Sequence, residues 1–414
     1  MLNILINAYG CSPSKGSEAG LGWMWVSRLA RYHNIYVITE LESKEELENT
    51  LPVFPNNDRL HCYFVDIGER GRRMCWNQGD WRFYYYYKQY QWKVYMLAKG
   101  LHEKIHFDIV HQLNMIGYRE LGYLWKLQNC SYVWGPIGGF TFVPQSFFWE
   151  LGLKNAVFYF IKNSLNWLTA KTHRRVKNAA KRADVLLSAQ KNSENCIQRF
   201  FNKNSILMNE TGLDVTPVDN NPNPQNYKNL KIIWVGRMIP TKLLNLAIKS
   251  LSLLPDDVKY EFHILGDGPC KTKAKMLAEQ LKVGKHCKWY GMISKQQVQK
   301  ILQSSHLFYF TSIIEGTSHA VMEAIANRLP VLCFDTCGHG KIVNEKIGIK
   351  IPLTTPENAK KQFAEIITDL YYHREKLGIL SQATDEDIYD LSWDAKISKM
   401  LEIYQSCFEG KFVS

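Results

Sequence analysis

Residues 313–340 read IIEGTSHAVMEAIANRLPVLCFDTCGHG, and this stretch decides the fold. The apolar run 307–310 just before it predicts a buried strand, and 331–334 near its end predicts a second one. Between the two strands, apolar residues recur at helical spacing from residue 320 to residue 325. A strand, a helix and another strand in this order predict a parallel sheet that is covered by helices.

Two glutamates, Glu315 and Glu323, lie on either side of a Gly-Thr-Ser turn at the start of this helix, where Thr317 or Ser318 is the natural N-cap. Eight residues of helix rise ~12 Å and rotate ~80° off one face, so the two carboxylates are too far apart to share a proton. The helix N-terminus between them favours a phosphate or diphosphate. In the alternative interpretation both glutamates are solvated surface charges.

Composition indicates a globular protein with room for two cores, since 46% of the 414 residues are hydrophobic and 22% are charged. The ten cysteines occur singly, without C-x-x-C, which predicts reduced thiols in a cytoplasmic protein. The short apolar run at the N-terminus predicts a first strand rather than a signal peptide, and no run approaches the ~18 apolar residues of a membrane span.

Positive charge is concentrated in the first half, where residues 1–210 carry 26 Lys and Arg against 17 Asp and Glu. Residues 154–182 are basic and aromatic without a single acid, and residues 81–95 read WRFYYYYKQYQWKVY. Such helices can lie on an anionic membrane, which predicts a peripheral location on its inner face. Ordinary amphipathic helices with inward aromatic residues are the alternative. No nucleic-acid-binding motif accompanies the charge, so nucleic acid is not an expected partner.

Two series of strands alternate with helices, which predicts α/β architecture with two Rossmann-like domains facing a central cleft. We expect an N-terminal domain over residues 1–214 and a Pro- and Asn-rich linker over 215–230. A second domain then covers 231–390, and a C-terminal helix over 391–414 returns to the first domain. The predicted strands are 3–8, 35–39, 61–65, 108–112, 132–134, 231–235, 260–265, 287–290, 307–310, 331–334 and 349–351. Helices are expected near 18–32, 81–104 and 164–182.

The spacing Glu315-Gly316, Glu323-Ala324 and Pro330-Val331, with Gly236-Arg237 and Lys242 upstream, resembles the retaining glycosyltransferases of family 4. This resemblance is strongest from about residue 231 to residue 351. It implies the GT-B fold, with an acceptor-binding first domain and a second domain that binds a UDP- or GDP-linked sugar. It also implies transfer to a hydroxyl acceptor, and we expect a lipid-linked or surface-polysaccharide glycan.

The resemblance also implies roles for the motif residues. Glu323 binds the ribose, Glu315 contacts the transferred sugar, and the backbone from Gly316 through Thr317 to Ser318 holds the diphosphate. Arg237 and Lys242 are the expected catalytic cations, because two positive charges stabilise a departing diphosphate. No metal or other cofactor is needed in this scheme. Taken alone, each cation is equally well explained as surface charge.

Further donor-binding candidates are glycines and a methionine in loops after predicted strands: Gly236, Gly266 in Gly-Asp-Gly-Pro, Met292, and Gly16 and Gly20 in KGSEAGLGW. Glycine permits close backbone approach to a ligand. The KGSEAGLGW loop is not the G-x-G-x-x-G fingerprint, so NAD is not expected. On the acceptor side the candidates are His111 and the loop glycines Gly138 and Gly139 in WGPIGGF.

The chain departs from the family pattern at three places, one of which is Asn327-Arg328-Leu329, where the usual Gly before Pro330 is absent. Relatives often carry His-x-His where this sequence has His111 and then Leu113, so His111 is equally well a packed strand residue. Cys337-Gly338-His339-Gly340 replaces a turn that often has adjacent glycines and a nearby Glu, which we expect to change donor preference. Asp385-Glu386-Asp387 resembles a D-x-D metal motif, but we interpret it as an acidic turn beside a helix.

Three other functions remain open at this point. A nucleotide-sugar epimerase or a phosphorylase could use the same two-domain architecture, and a catalytically silent protein could bind the sugar nucleotide or a lipid. For a transferase, a covalent route requires a carboxylate beside the anomeric carbon. In a front-face route the leaving phosphate helps to deprotonate the acceptor hydroxyl. We favour the front-face route, in which Glu315 orients the sugar.

Overall fold

The computed structural model describes residues 1–76, 82–214, 228–382 and 385–410. The chain divides into two compact units. Unit 1 comprises Met1–Phe140, Trp167–Thr211 and Asp394–Ser414, and unit 2 comprises Thr141–Asn166 and Gly212–Trp393. Within the described ranges, no helix is long and apolar enough to cross a membrane.

Unit 1 is built on a parallel sheet of seven strands in the order β3-β2-β1-β4-β5-β6-β7. Every residue of the fourth strand is buried, and so are five of the six in the first, as expected for a sheet covered on both faces. The strands are β1 Asn3–Ala8, β2 Asn34–Glu40, β3 Leu60–Val65, β4 Ile109–Asn114, β5 Ser131–Ile137, β6 Val185–Ser188 and β7 Ile206–Leu207. The first seven helices of the chain are α1 Ser17–Leu29, α2 Lys44–Thr50, α3 Glu69–Trp76, α4 Phe83–Ile105, α5 Leu153–Thr172, α6 Arg174–Arg182 and α7 Lys191–Phe201. Six of them belong to unit 1, whereas α5 belongs to unit 2 as far as Asn166 and to unit 1 from Trp167 onward.

Unit 2 is built on a parallel sheet of six strands in the order β10-β9-β8-β11-β12-β13. Its strands are β8 Leu230–Val235, β9 Tyr260–Leu265, β10 Cys287–Gly291, β11 Leu307–Phe310, β12 Val331–Phe334 and β13 Gly348–Ile351. The helices that follow are α8 Leu244–Leu251, α9 Lys271–Gln280, α10 Lys295–Gln303, α11 His319–Ala326, α12 His339–Ile342, α13 Pro356–Tyr372, α14 Glu375–Leu380 and α15 Asp385–Tyr389. The last helix, α16, spans Trp393–Phe408.

The observed units differ from the predicted domain borders at residues 141–166, which belong to unit 2 and not to the N-terminal domain. Val143, Phe147 and Leu151 are buried in the unit 2 core, and Lys249 on α8 contacts Glu150 at 2.8 Å. Burial of these three apolar side chains stabilises the packing of the segment against unit 2. In the predicted linker, residues 215–227 lie outside the described residues.

The C-terminal helix α16 belongs to unit 1. The buried Lys396 ammonium donates a hydrogen bond to the Asn209 carbonyl at 2.8 Å, and Tyr404 is fully buried. α16 is therefore packed against unit 1.

Two strands of the unit 1 sheet, β6 and β7, were not among the predicted strands.

The aromatic segment predicted over 81–95 forms the first half of α4, with Trp81 outside the described residues. Phe83, Tyr87 and Tyr90 on this helix are buried, and Tyr9 on the loop after β1 lies edge-on to all three rings. Edge-to-face aromatic pairs of this kind stabilise a core. Tyr84, Tyr85 and Trp92 on the same half of α4 are exposed, so only part of its aromatic set packs inward.

Candidate active site

The carboxyl ends of β8, β9 and β10 lie side by side in unit 2. The Gly236 amide donates a hydrogen bond to the Leu265 carbonyl at 3.0 Å, and the Gly266 amide donates to the Gly291 carbonyl at 2.9 Å. The strand order runs outward in both directions from the β8–β11 pair. Such a switch point is where ligands bind in open parallel sheets.

Gly266 is the tightest backbone approach along this edge. Its φ is +123°, and a Cβ at this position would lie 2.0 Å from the Gly236 carbonyl oxygen. Only glycine adopts this backbone conformation without a large cost and also avoids the collision. The residue therefore permits the β9 loop to lie directly against the β8 loop.

Lys242 and Glu315 form an ion pair across the switch point, between Lys242 Nζ and Glu315 Oε1. Lys242 follows β8 and Glu315 follows β11, so the two side chains come from the strands on either side of the point where the order reverses. Their side chains are only 16% and 14% exposed. Two chain segments that are 73 residues apart thus place a cation and a carboxylate in one sheltered position.

The short turn that carries Lys242 is fixed to the end of β11. Thr311 Oγ1 donates a hydrogen bond to the Lys242 carbonyl at 2.8 Å and accepts one from Trp234 Nε1 at 3.2 Å. The Ile313 amide donates to the Thr241 carbonyl at 3.0 Å. These hydrogen bonds fix the backbone of the turn from which the Lys242 side chain extends.

Electrostatics make Lys242 a weaker base than an ordinary lysine. Burial lowers the pKa of Lys242 to about 8, and the positive charge of Arg237 acts in the same direction, while Cys337 opposes both. Arg237 itself is exposed in the loop that follows β8. A sheltered cation beside an exposed one is an arrangement that attracts an anion to this edge.

The turn before α11 uses its polar groups in an unexpected way. Ser318 is the N-cap, but its hydroxyl makes no capping hydrogen bond; it contacts Nδ1 of the buried His339 at 3.1 Å. Burial, and then the charge of Lys242, lower the pKa of His339 to about 3, so the ring is neutral. Because the cap hydroxyl is engaged elsewhere, it does not cover the first N–H groups of the helix.

The turn Cys337-Gly338-His339-Gly340 lies against the Glu315–Ser318 turn. The Cys337 thiol accepts a hydrogen bond from the Glu315 amide at 3.3 Å and donates one to the Ile313 carbonyl at 3.5 Å. A Cβ on Gly338 would lie 2.7 Å from the Gly316 carbonyl oxygen. The residues that depart from the family pattern therefore contact the Glu315–Ser318 turn directly. Their sequence gave no signal of these contacts.

Glu323 occupies the second turn of α11, as predicted from the spacing. Burial raises the pKa of its carboxyl group, and Lys295 partly opposes that effect. Beyond β10, the Met292 side chain is 78% exposed, and the Tyr290 hydroxyl meets His263 Nδ1 at 2.9 Å. The structure thus brings the unit 2 candidates to one sheet edge: Gly236, Arg237, Lys242, Gly266, Met292, Glu315, Gly316, Thr317, Ser318 and Glu323.

In unit 1, Gly16 and Gly20 lie where β1 leads into α1. A Cβ on Gly20 would lie 2.3 Å from the Lys15 carbonyl oxygen, so the chain requires glycine for this close turn. Between the two glycines, Glu18 accepts a hydrogen bond from the Ile116 amide at 3.0 Å, and burial raises the pKa of its carboxyl group to about 7. Sequence reasoning missed Glu18, although an acid inside a glycine-rich loop was a usable signal.

His111 lies inside unit 1 and not on a surface. Its Nδ1 contacts the Tyr404 hydroxyl and its Nε2 contacts the Gly135 carbonyl oxygen, both at 2.6 Å, and the residue is fully buried. Burial lowers the pKa of His111 to about 4, so Nε2–H donates to the carbonyl and Nδ1 accepts from tyrosine. This geometry favours the interpretation of His111 as a packed strand residue.

The glycine-rich loop after β5 has one buried and one exposed member. Gly138 donates a hydrogen bond to the Ile116 carbonyl at 2.7 Å and pairs with Gly117, whereas Gly139 is exposed. Gly138 thus lies beside the segment that binds Glu18. An acceptor role for the two glycines stays a prediction.

The acidic triplet Asp385-Glu386-Asp387 is the first turn of α15 and not a turn beside a helix. Asp385 pairs with Arg328 at 2.5 Å, and carboxylates at a helix N-terminus are favoured by the helix dipole. Across the described ranges no group of three or more His, Cys, Asp and Glu side chains is arranged to hold a metal.

Part of the sequence is similar to known glycosyltransferases. Residues 216–384, about two fifths of the chain, match the family model described as Glycosyl transferases group 1. A putative colanic acid biosynthesis glycosyltransferase, WcaL of Escherichia coli, is 27% identical over 158 residues, which are 36% of this chain and 39% of the relative. The matched stretches span between 23% and 40% of the lengths of the first curated relatives.

Solved structures resemble the whole chain. The lipopolysaccharide outer core galactosyltransferase WaaB covers 99% of this chain and is itself covered completely, with a TM-score of 0.63 and 15% identity. HepE of Anabaena, solved with UDP and glucose, covers 98% of this chain and is also covered completely, with a TM-score of 0.60 and 13% identity. The predicted GT-B fold is confirmed, and the sequence of residues 216–384 is similar to the group 1 glycosyl transferases.

Proposed function

We propose that this protein is a retaining glycosyltransferase of family 4, which transfers a sugar from a nucleotide-sugar donor to a hydroxyl acceptor. The observation that carries the proposal is the sheltered Lys242–Glu315 pair at the switch point of unit 2, next to the N-terminus of α11. A cation and a helix N-terminus that converge on one position suit a diphosphate. The group 1 match of the same unit supports this assignment.

We assign the donor contacts by position along the edge. Arg237, Lys242 and the backbone N–H groups between Gly316 and Ser318 bind the diphosphate, and Glu323 in the next turn binds the ribose hydroxyls. Gly236, Gly266 and Met292 form the wall nearest the base and ribose. Gly16 and Gly20 of unit 1 are proposed as further donor-binding residues. The base, UDP or GDP, follows from the family resemblance alone, although HepE is solved with UDP.

Glu315 has a neighbour that decides its role in the proposed mechanism. Its carboxylate is paired with Lys242, and a carboxylate that neutralises an ammonium is a poor nucleophile. We therefore propose the front-face route, in which the glycosidic bond breaks first and Arg237 and Lys242 stabilise the departing diphosphate. The acceptor oxygen then bonds to the anomeric carbon on the face from which the diphosphate has left, its proton passes to the leaving phosphate, and Glu315 orients the sugar.

We propose a lipid-linked or surface-polysaccharide glycan as the acceptor. The support is that WcaL and WaaB are named for colanic acid and lipopolysaccharide synthesis. In unit 1 the loop around Gly138 and Gly139 and the nearby Glu18 are the proposed acceptor-side groups. A cytoplasmic protein at the inner face of the membrane would meet such an acceptor.

Product analysis separates this proposal from its rivals. Incubation with a nucleotide sugar and a polyprenol-linked glycan should release nucleoside diphosphate only when both are present, with the anomeric configuration kept. An epimerase would convert the donor without an acceptor, and a phosphorylase would require inorganic phosphate. A protein that binds donor but releases no diphosphate under any condition would be a silent binding protein.

The pKa of Lys242 predicts how donor binding depends on pH. Because its pKa lies near 8, the free side chain loses its proton as the pH rises through 8, and the diphosphate then meets a neutral amine. We expect nucleoside diphosphate affinity to fall by about tenfold between pH 7.5 and pH 9.5, with proton uptake on binding above pH 8. Calorimetry in two buffers of different ionisation enthalpy measures both quantities.

Lys242→Arg is the matched variant for this experiment, since guanidinium keeps its charge throughout the range. Its affinity should be independent of pH and no protons should be taken up. Wild-type affinity that is level up to pH 9.5 would remove Lys242 from the diphosphate site.

Metal independence is a second expected property. Arg237, Lys242 and the α11 N-terminus supply the positive charge that a divalent cation would otherwise provide. We expect turnover with excess EDTA to stay within twofold of turnover with added Mg²⁺ or Mn²⁺. Loss of turnover in EDTA, restored by Mn²⁺, would contradict this part of the mechanism.

A further inference from the structure

Helix α5 directs two asparagine side chains inward. Asn163 Nδ2 donates a hydrogen bond to the Val143 carbonyl at 2.8 Å, and Asn166, which is fully buried, donates one to the Thr141 carbonyl at 3.1 Å. Ala156 is also buried. The inward side of this helix is therefore anchored to the backbone of unit 2 through amides, in addition to the packing of Tyr159 against the unit 2 core.

The outward side of α5 is apolar. Six large apolar side chains, each at least half exposed, recur at intervals of three, four or one: Leu153, Val157, Phe160, Ile161, Leu165 and Leu168. Residues three and four apart share one face of a helix, so these side chains form a single stripe along the 20-residue helix. A contiguous exposed apolar stripe of this kind marks an interaction surface.

Positive charge borders the stripe. Lys154, Lys162 and Lys171 on α5 are exposed, and so are Arg174, Lys177 and Lys181 on α6, whereas no Asp or Glu occurs from residue 151 to residue 183. An anionic surface is complementary to this rim. Two copies of the helix placed face to face would bring identical positive charges together, which opposes a symmetric dimer through the same stripe.

We propose that the outward stripe of α5 lies in the interfacial region of an anionic phospholipid bilayer, with the helix axis parallel to the membrane. At ~1.5 Å per residue the helix would extend ~30 Å along the surface. The apolar side chains enter the acyl boundary, and the lysines reach the lipid phosphates. This inference stands on α5 and α6 alone, so its failure would leave the glycosyltransferase proposal intact.

Vesicle co-sedimentation of the full chain tests the inference. Wild type should sediment with vesicles of phosphatidylcholine and phosphatidylglycerol, bind pure phosphatidylcholine at least tenfold more weakly, and dissociate as salt is raised. Phe160→Ser/Ile161→Ser should weaken binding to the anionic vesicles at least tenfold. Both positions are more than half exposed, so this variant should keep the wild-type melting temperature.

Met276→Ser/Ile379→Ser is the matched control, because these side chains are 67% and 59% exposed on α9 and α14. It removes comparable exposed apolar surface and should sediment like wild type. Three results would overturn the inference: wild type left in the supernatant with anionic vesicles, Phe160→Ser/Ile161→Ser bound as tightly as wild type, or a wild-type dimer in light scattering that this variant dissociates.

Discussion

Lys242→Met should lower kcat by roughly 10²–10³ while the protein stays folded. In the proposed mechanism the Lys242 ammonium group, which is sheltered beside Glu315, stabilises the departing diphosphate. Removal of one such preorganised group costs about 3–4 kcal/mol of transition-state stabilisation. Steady-state release of nucleoside diphosphate, measured with saturating donor and acceptor, gives the value of kcat. The same assay on Arg237→Met should give a loss in the same direction.

Two controls separate chemistry from stability. Lys242→Met leaves the sheltered Glu315 without its cation, so Lys242→Met/Glu315→Gln should recover stability without recovering turnover. Lys249→Met breaks another ion pair of unit 2, that with Glu150, and should leave kcat unchanged. Near-normal turnover of Lys242→Met would exclude the lysine from the mechanism.

Gly266→Ala should destabilise unit 2 by about 3 kcal/mol or more. The φ of +123° is strained for alanine, and the new Cβ would meet the Gly236 carbonyl oxygen, which belongs to a hydrogen-bonded edge and cannot move cheaply. The melting transition of unit 2 should fall by roughly 6 °C or more. Circular dichroism during heating, together with nucleotide titration, measures the loss of fold and of donor binding.

Gly378→Ala is the matched substitution for that experiment. Gly378 lies inside α14, and an added Cβ there would meet nothing within 4 Å. Because alanine is the better helix former, this variant should be unchanged or more stable by up to about 1 kcal/mol. Equal melting temperatures for Gly266→Ala and wild type would show that the β8 and β9 loops tolerate a side chain.

The sequence predicted the strands of unit 2 well because each is a short apolar run with clear turns on both sides. The predicted ranges for β9, β11 and β12 equal the observed ones, and the other three strands of unit 2 differ by one residue at one end. In unit 1, the prediction missed β6 and β7, which have only four and two residues. A run of two residues, as in β7, carries no periodicity that distinguishes a strand from a loop. β6 is as long as β11 and β12, so its apolar residues were a usable signal that the prediction did not take up.

Contacts between residues far apart in the chain could not be predicted from local sequence patterns. Nothing in residues 141–166 shows that Val143 and Phe147 pack against unit 2, since that depends on a surface formed by later residues. The exposure of the apolar stripe of α5 could not be predicted either. Periodicity shows that a helix has an apolar face, but not whether that face points to the core or to solvent. His111 meets Tyr404 from 293 residues away, which no motif near His111 could reveal.

The candidate site residues could be selected from the sequence, but which of them contact one another could be seen only in the structure. Spacing alone placed Glu323 in the second turn of α11, and the motif selected Lys242 and Glu315 without predicting that they pair. The departure at Cys337 and His339 could be seen in the sequence. Its physical consequence, a thiol and a neutral ring that hold the Glu315–Ser318 turn, required coordinates.

Nucleotide binding by unit 2 is the most direct test of the central claim, which is that the carboxyl edge of β8 to β11 holds a nucleotide-sugar diphosphate. In thermal-shift titrations with UDP, GDP and their sugars, at least one ligand at about 100 times its Kd should stabilise wild type by about 2.7 kcal/mol. The doubly substituted Arg237→Met/Lys242→Met protein should show no shift at the same concentration. Equal shifts in both proteins, or no shift of wild type with any of these nucleotides, would contradict the account.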